Sequence, residues 1–269
     1  QSMAQTAPKD LPSGTVGTCT WSIGADGLLT IEEGELSVTS PHTNPWQDYL
    51  DQITSVKLSP GVKGVGSISG LFMNMNITSL DLSNFDTSQV TDMSYLFYGD
   101  AQLNSLDLSS LDTSQVTNMS CIFADTKLTS LDVSNLNTSQ VTDMSGMFSR
   151  MSELTSLDLS NFDTSQVMNM DGMFNGVSKL SNPDLKTFNT SQVTNMGSMF
   201  NNSGIISLDL SNFDTSQVTT MGGMFNGMSK LTSLDLSSFD TTRVTTMGGM
   251  FENAPIKQLK LGNKTNLTN

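Results

Sequence analysis

The stretch Leu154–Phe174, LTSLDLSNFDTSQVMNMDGMF, is one of seven near-copies of a single phrase. Its second strong apolar position recurs at Leu80, Leu106, Leu131, Leu157, Pro183, Leu208 and Leu234, and again at Leu259 in a partial eighth copy. The steps are 26, 25, 26, 26, 25, 26 and 25 residues. A fixed period in this range marks a repeat solenoid. Each copy is one coil that cannot bury its own apolar face and must stack on its neighbours.

Each copy has three parts. Leu80-Asp81-Leu82 alternates apolar and polar, the period of a half-buried strand with its Asp pointing outward. Phe85-Asp86-Thr87-Ser88-Gln89-Val90 turns the chain, because Asp, Thr and Ser bond nearby backbone; Phe85 and Val90 face inward at that corner. Met93 with Leu96 and Phe97 has the i, i+3, i+4 spacing of one helical turn. Ser94, Ser120, Ser145, Asp171, Gly197, Gly222 and Gly248 would cap its start. Gly99, Asp125, Arg150, Gly176, Asn202, Gly227 and Asn253 would end it in a left-handed residue, a role that suits all but Arg150.

The flanks divide the chain. Residues 1–10 read as a tag remnant (Gln1-Ser2-Met3) and a disordered lead. Residues 11–75, with both Trp and the single His, read as an N-terminal capping domain. Within it, Thr18–Ile23 and Leu28–Ile31 are strands joined by the turn Gly24-Ala25-Asp26-Gly27. Leu71-Phe72 is a degenerate form of the repeat's Leu-Phe pair. Residues 76–255 are the seven-copy solenoid, and 256–269 a partial eighth repeat with a truncated end. Pro183, which cannot donate to a ladder, predicts a local fault in the sheet.

A formal charge of −14 argues against nucleic acid, which needs a basic footprint, and against adsorption to anionic membranes. The acids are ordered: Asp81, Asp107, Asp132, Asp158, Asp184, Asp209 and Asp235 form one row, and Asp86, Asp112, Asp163, Asp214 and Asp240 a second, with Asn137 and Asn189 in its gaps. The first row is either a binding face or a guard against stray edge pairing. The second suits local turn bonding. No calcium-loop motif and no metal-ligand spacing occur, so neither cofactor nor metal is expected. The Met rows beginning at Met93 and Met147 and the Phe row from Phe97 to Phe251 are core filler. Trp21, Trp46 and Tyr49 could form a sugar platform, and Tyr95 and Tyr98 break the repeat near the cap. His42 reads as a solvated loop residue, and Cys19 and Cys121 belong to different units. Two carboxylate rows could imitate a glycosidase pair, but a pair repeated seven times reads as architecture, so no enzyme is expected.

The phrase LTSLDLSNFDTSQVTDMSGMF closely resembles the 26-residue repeat of BspA-like leucine-rich-repeat bacterial surface proteins, found in lactobacilli, listeriae and mycoplasma lipoproteins. The resemblance runs from about Ile53 to Leu261, and the segment GTCTWSIGADGLLTIEEGEL resembles what precedes such repeats. It implies a leucine-rich-repeat-like right-handed coil with short parallel strands and one-turn helices, behind a small β-rich cap. It also implies an extracellular Gram-positive surface protein, wall-anchored through a region beyond this chain, with no catalytic residues to carry over. The expected function is a non-enzymatic adhesin for a host or neighbouring-cell surface protein or glycoprotein of the mucin, fibronectin or fibrinogen class. The candidate ligand-binding residues are Asp81, Asp107, Asp132, Asp158, Asp209 and Asp235, with Tyr95 and Tyr98. The alternative is a structural spacer that holds another domain away from the wall.

Overall fold

A computed structural model describes residues 10–268; the tag-like start of the chain lies outside the described residues. The N-terminal segment begins with β1 (Ser13–Val16) and β2 (Cys19–Ile23), an antiparallel hairpin, and β3 (Leu28–Ile31) pairs antiparallel to β2. The expected strands and the Gly24–Gly27 turn are therefore present. From there the chain turns to parallel stacking. β3 pairs with β5 (Ser55–Leu58), and β4 (Gly34–Leu36) with β6 (Val62–Ser67), which pairs with β7 (Phe85–Asp92).

Beyond β7 the coils stack in strict register. Single parallel bridges link Asp92, Asn118, Asp143, Asn169, Asn195, Thr220 and Thr246 in turn, one position per coil. The result is a β-solenoid with almost no helix. The expected Leu-Asp-Leu strands pair as a ladder only at the end, between β8 (Ser233–Leu236) and β9 (Gln258–Leu261). In the other copies that segment keeps its second apolar residue buried, its first buried or, at Leu157 and Leu208, half-buried, and its Asp exposed, while the bridge between coils sits at the corner before the Met. Pro183 is buried; its segment, like most of the Leu-Asp-Leu segments, forms no ladder for a proline to interrupt, and the corner bridge Asn169–Asn195 is kept.

The one-turn helices are a second correction. In Met93–Gly99, Leu96 and Tyr98 N–H donate three residues back to Met93 and Tyr95, each at 3.2 Å. Met93, Tyr95, Phe97 and Gly99 N–H instead donate across to the carbonyls of Asn118, Ser120, Ile122 and Ala124 in the next coil, at 2.9 to 3.0 Å. Two left-handed residues per copy cause this: Tyr95 (φ 59) and Gly99 (φ 73), then Cys121 and Asp125, Gly146 and Arg150, Gly172 and Gly176, and onward. A left-handed residue cannot continue a right-handed helix, so alternate N–H groups turn sideways and join the stack. The second of each pair is the expected left-handed cap, and Arg150 adopts it too, at φ 56. The same corner already exists at Ile68–Asn74, whose alternate N–H groups bond Asp92–Tyr98 carbonyls and whose Gly70 and Asn74 are left-handed.

The core is a column of like on like. Phe97, Phe123, Phe148, Phe174, Phe200, Phe225 and Phe251 stack with ring centroids 5.6 to 6.0 Å apart. The Met rows are buried beside them, as expected. Offset aromatic stacking of this kind adds about 0.5–1.5 kcal/mol per pair beyond area burial.

Candidate functional site

The strand-row carboxylates Asp81, Asp107, Asp132, Asp158, Asp209 and Asp235, with Asp184, are all exposed along one face. In each, Oδ1 accepts the N–H two residues on, at 2.8 to 3.0 Å. The serine two residues on holds each carboxyl below the usual carboxylate range; for Asp184 the Lys186 amide does so. The carboxylates are thus ionised and fixed in direction, with Lys186 and Lys260 near Asp184 and Asp235 at 3.3 and 4.0 Å. Three open depressions lie along this row. One, of about 430 Å³, is lined by Leu131, Asp132, Leu157 and Asp158. The next, about 270 Å³, lies between Asp158 and Asp184, and the third, about 610 Å³, includes Asp235 and Leu259.

The second row builds the fold instead. Its members accept their own i+2 N–H groups, as at Asp86 and Ser88 (3.0 Å), and from Asp112 onward their main chains are held by a buried Thr of the preceding coil. Thr164 Oγ1 donates to Asn189 O (2.8 Å) and accepts Asn189 N–H (2.8 Å); Thr87, Thr113, Thr138, Thr190, Thr215 and Thr241 do the same one coil on. Sequence reading saw local turn bonding here and missed this clamp. Its signal, an invariant Thr between two inward residues, was in plain view.

A second, irregular group gathers on a different edge. His42, from the loop before β5, packs its ring on Tyr95 at 3.9 Å between centroids, and Tyr95 lies 5.1 Å from Tyr98. The Arg150 guanidinium donates to Tyr98 Oη (3.3 Å) and pairs bidentately with Asp125, Nε at 2.8 Å and Nη2 at 2.7 Å. Burial and the Cys121 thiol push the Tyr95 phenol up to about 12, the hydrogen bond to Cys121 being the larger cause. Tyr95 and Tyr98 are partly exposed and Arg150 and His42 exposed. His42 is therefore not a lone loop residue.

The remaining candidates are structural. Trp46 is fully buried and Trp21 nearly so, edge to face at 6.3 Å, so they pack the core of the N-terminal segment and offer no sugar platform. Cys19 and Cys121 are free thiols. Among the described residues no helix is long and apolar enough to cross a membrane.

A family profile described as "Mycoplasma protein of unknown function, DUF285" matches residues 66–183 and 177–265, about three-quarters of the 269 residues. The chain belongs to this family. The matched span covers every full copy of the repeat. A crystal structure of a leucine-rich repeat protein from Eubacterium ventriosum is similar at 17% identity and a TM-score of 0.36, over 91% of this chain and 82% of that one. No curated protein matches.

Proposed function

We propose that this family member is a non-enzymatic adhesin on the bacterial cell surface, which grips a host or neighbouring-cell protein or glycoprotein through the strand-Asp face. One observation supports the reading: three open depressions fall along the exposed, preorganised Asp row, at Asp132 and Asp158, at Asp158 and Asp184, and at Asp235, while two others lie on the N-terminal segment. Carboxylates already fixed by their own turns lose little freedom on binding, so basic groups of a partner meet a preorganised array. Many modest polar contacts over a long face would add up to useful affinity.

The test is direct binding of the chain to immobilised mucin, fibronectin, fibrinogen and collagen at physiological salt. Asp132→Asn, Asp158→Asn and Asp209→Asn combined keep the Oδ1 acceptor of each turn and remove the charge. We expect saturable binding to one partner, weakened about tenfold or more in the triple variant, a loss of about 1.4 kcal/mol or more. Unchanged binding would remove the Asp face from the reading. No binding at all would favour the spacer role, which the near-identity of the copies supports, because a spacer needs only length.

A further inference from the structure

The irregular edge carries a site of another chemistry. We propose that His42, Tyr95, Tyr98, Asp125 and Arg150 form a carbohydrate-binding site that takes one neutral hexose-type ring of a glycan.

The fold does not ask for these residues. The Tyr95 position holds Cys121, Gly146, Gly172, Ser198, Gly223 and Gly249 in the other copies. The Tyr98 position holds Ala124, Ser149, Asn175, Asn201, Asn226 and Glu252. The Arg150 position is Gly99, Gly176 or Gly227 in three copies. Small residues thus satisfy the corner. Tyr95 instead sits at φ 59 and Arg150 at φ 56, conformations that cost a bulky side chain energy and that gather at functional sites.

These residues also converge. The residues come from the cap loop and from three successive coils, yet they make one continuous chain of contacts from the His42 ring to the Asp125 carboxylate. Partly exposed tyrosine rings offer an apolar body with a polar tip, which suits the C–H face of a sugar with hydroxyls around its rim. The Arg150–Asp125 pair sets donors and acceptors side by side in a fixed plane, able to serve adjacent hydroxyls. Its two charges cancel, and so the site selects a neutral polyhydroxylated ring over an anionic one.

The test uses the whole chain and follows NMR saturation transfer from protein to methyl glycosides of glucose, galactose, mannose and N-acetylglucosamine, and to their oligosaccharides. The variant Tyr95→Gly, Tyr98→Asn, Arg150→Gly puts at each position a residue that another copy already uses, so it should fold, and its melting temperature confirms that. We expect one neutral sugar series to bind the wild-type chain and the variant to lose about tenfold or more in affinity, the scale of one lost stacked ring. The Asp132→Asn, Asp158→Asn, Asp209→Asn variant should bind the sugar as the wild type does, which separates this site from the strand-Asp face. Wild-type chain that bound none of these sugars would overturn the proposal. So would binding untouched by the Tyr95, Tyr98 and Arg150 changes, or a preference for a sialylated oligosaccharide over its neutral counterpart.

Discussion

At the residue scale, two buried polar groups show opposite economies. Thr164 has both hydrogen-bonding roles of its hydroxyl used between coils, one to an N–H and one to a C=O of residue 189. Thr164→Val keeps the shape and leaves both partners unpaired in the interior. We expect a loss of about 1–3 kcal/mol, read from denaturant unfolding, and a smaller one for Thr164→Ser. Asp100 is the reverse case. It is fully buried, Oδ1 accepts the Met75 N–H at 2.8 Å, and Oδ2 has no partner among the described residues. Burial raises its pKa from 3.8 to about 9. The folded chain therefore holds a proton that the unfolded chain releases, and stability falls as pH rises from about 4 to about 9. Thr126 occupies the equivalent position in the next copy and bonds its own turn at Phe123 O (2.9 Å). Asp100→Thr should flatten that slope and raise the melting temperature at pH 8. An unchanged slope would mean that Asp100 is not its source.

At the scale of the element, the corner between Met and Gly governs how coils join. Its left-handed residues aim alternate N–H groups along the stack, and within and just beyond the corner the backbone tolerates a Cβ very unevenly. A Cβ at Gly204 would lie 1.9 Å from the Ser178 carbonyl oxygen, while one at Gly248 would meet nothing within 4 Å. Gly204→Ala forces backbone to move and should cost more than about 1 kcal/mol. Gly248→Ala should be neutral or stabilise by about 0.4–1 kcal/mol through the unfolded chain. Parallel thermal melts of the two variants check this, and equal effects would contradict the close approach of Gly204 to the Ser178 carbonyl. This element also shows where sequence reading went astray. Met93, Leu96 and Phe97 point inward whether the segment is a helical turn or a chain of left- and right-handed turns, since both bring i, i+3 and i+4 to one side. The distinguishing signal was the glycine at residues 146, 172, 223 and 249, one position after the assumed cap.

Across the whole molecule, the main-chain contacts of each coil are with its neighbours and recur along the stack, whereas the Arg150–Tyr98 hydrogen bond reaches across two coils. Charge recurs with them. Asp132 feels both Asp107 and Asp158, and the chain as a whole carries −14. Since salt screens exposed charges over a Debye length of about 8 Å at physiological strength, the melting temperature should rise between low and physiological sodium chloride. A fall would point to attractive surface pairs outweighing the row. The strand-Asp face and the His42–Arg150 edge belong to this scale as well, since neither exists within one copy.

The sequence by itself determined the solenoid, the register of its coils, the buried Leu, Met and Phe columns and the outward Asp row. Each of these follows from periodicity, which a linear chain displays directly. It also marked Tyr95, Tyr98 and Arg150 as departures from the phrase. Only the tertiary structure decided how neighbouring coils bond, by corner ladder and threonine clamp, because a hydrogen bond between residues 25 apart leaves no local trace. It alone brought His42 onto Tyr95 and Tyr98 onto Arg150, 52 residues away. Stacking turns distance along the chain into contact between layers, and that conversion made the edge cluster.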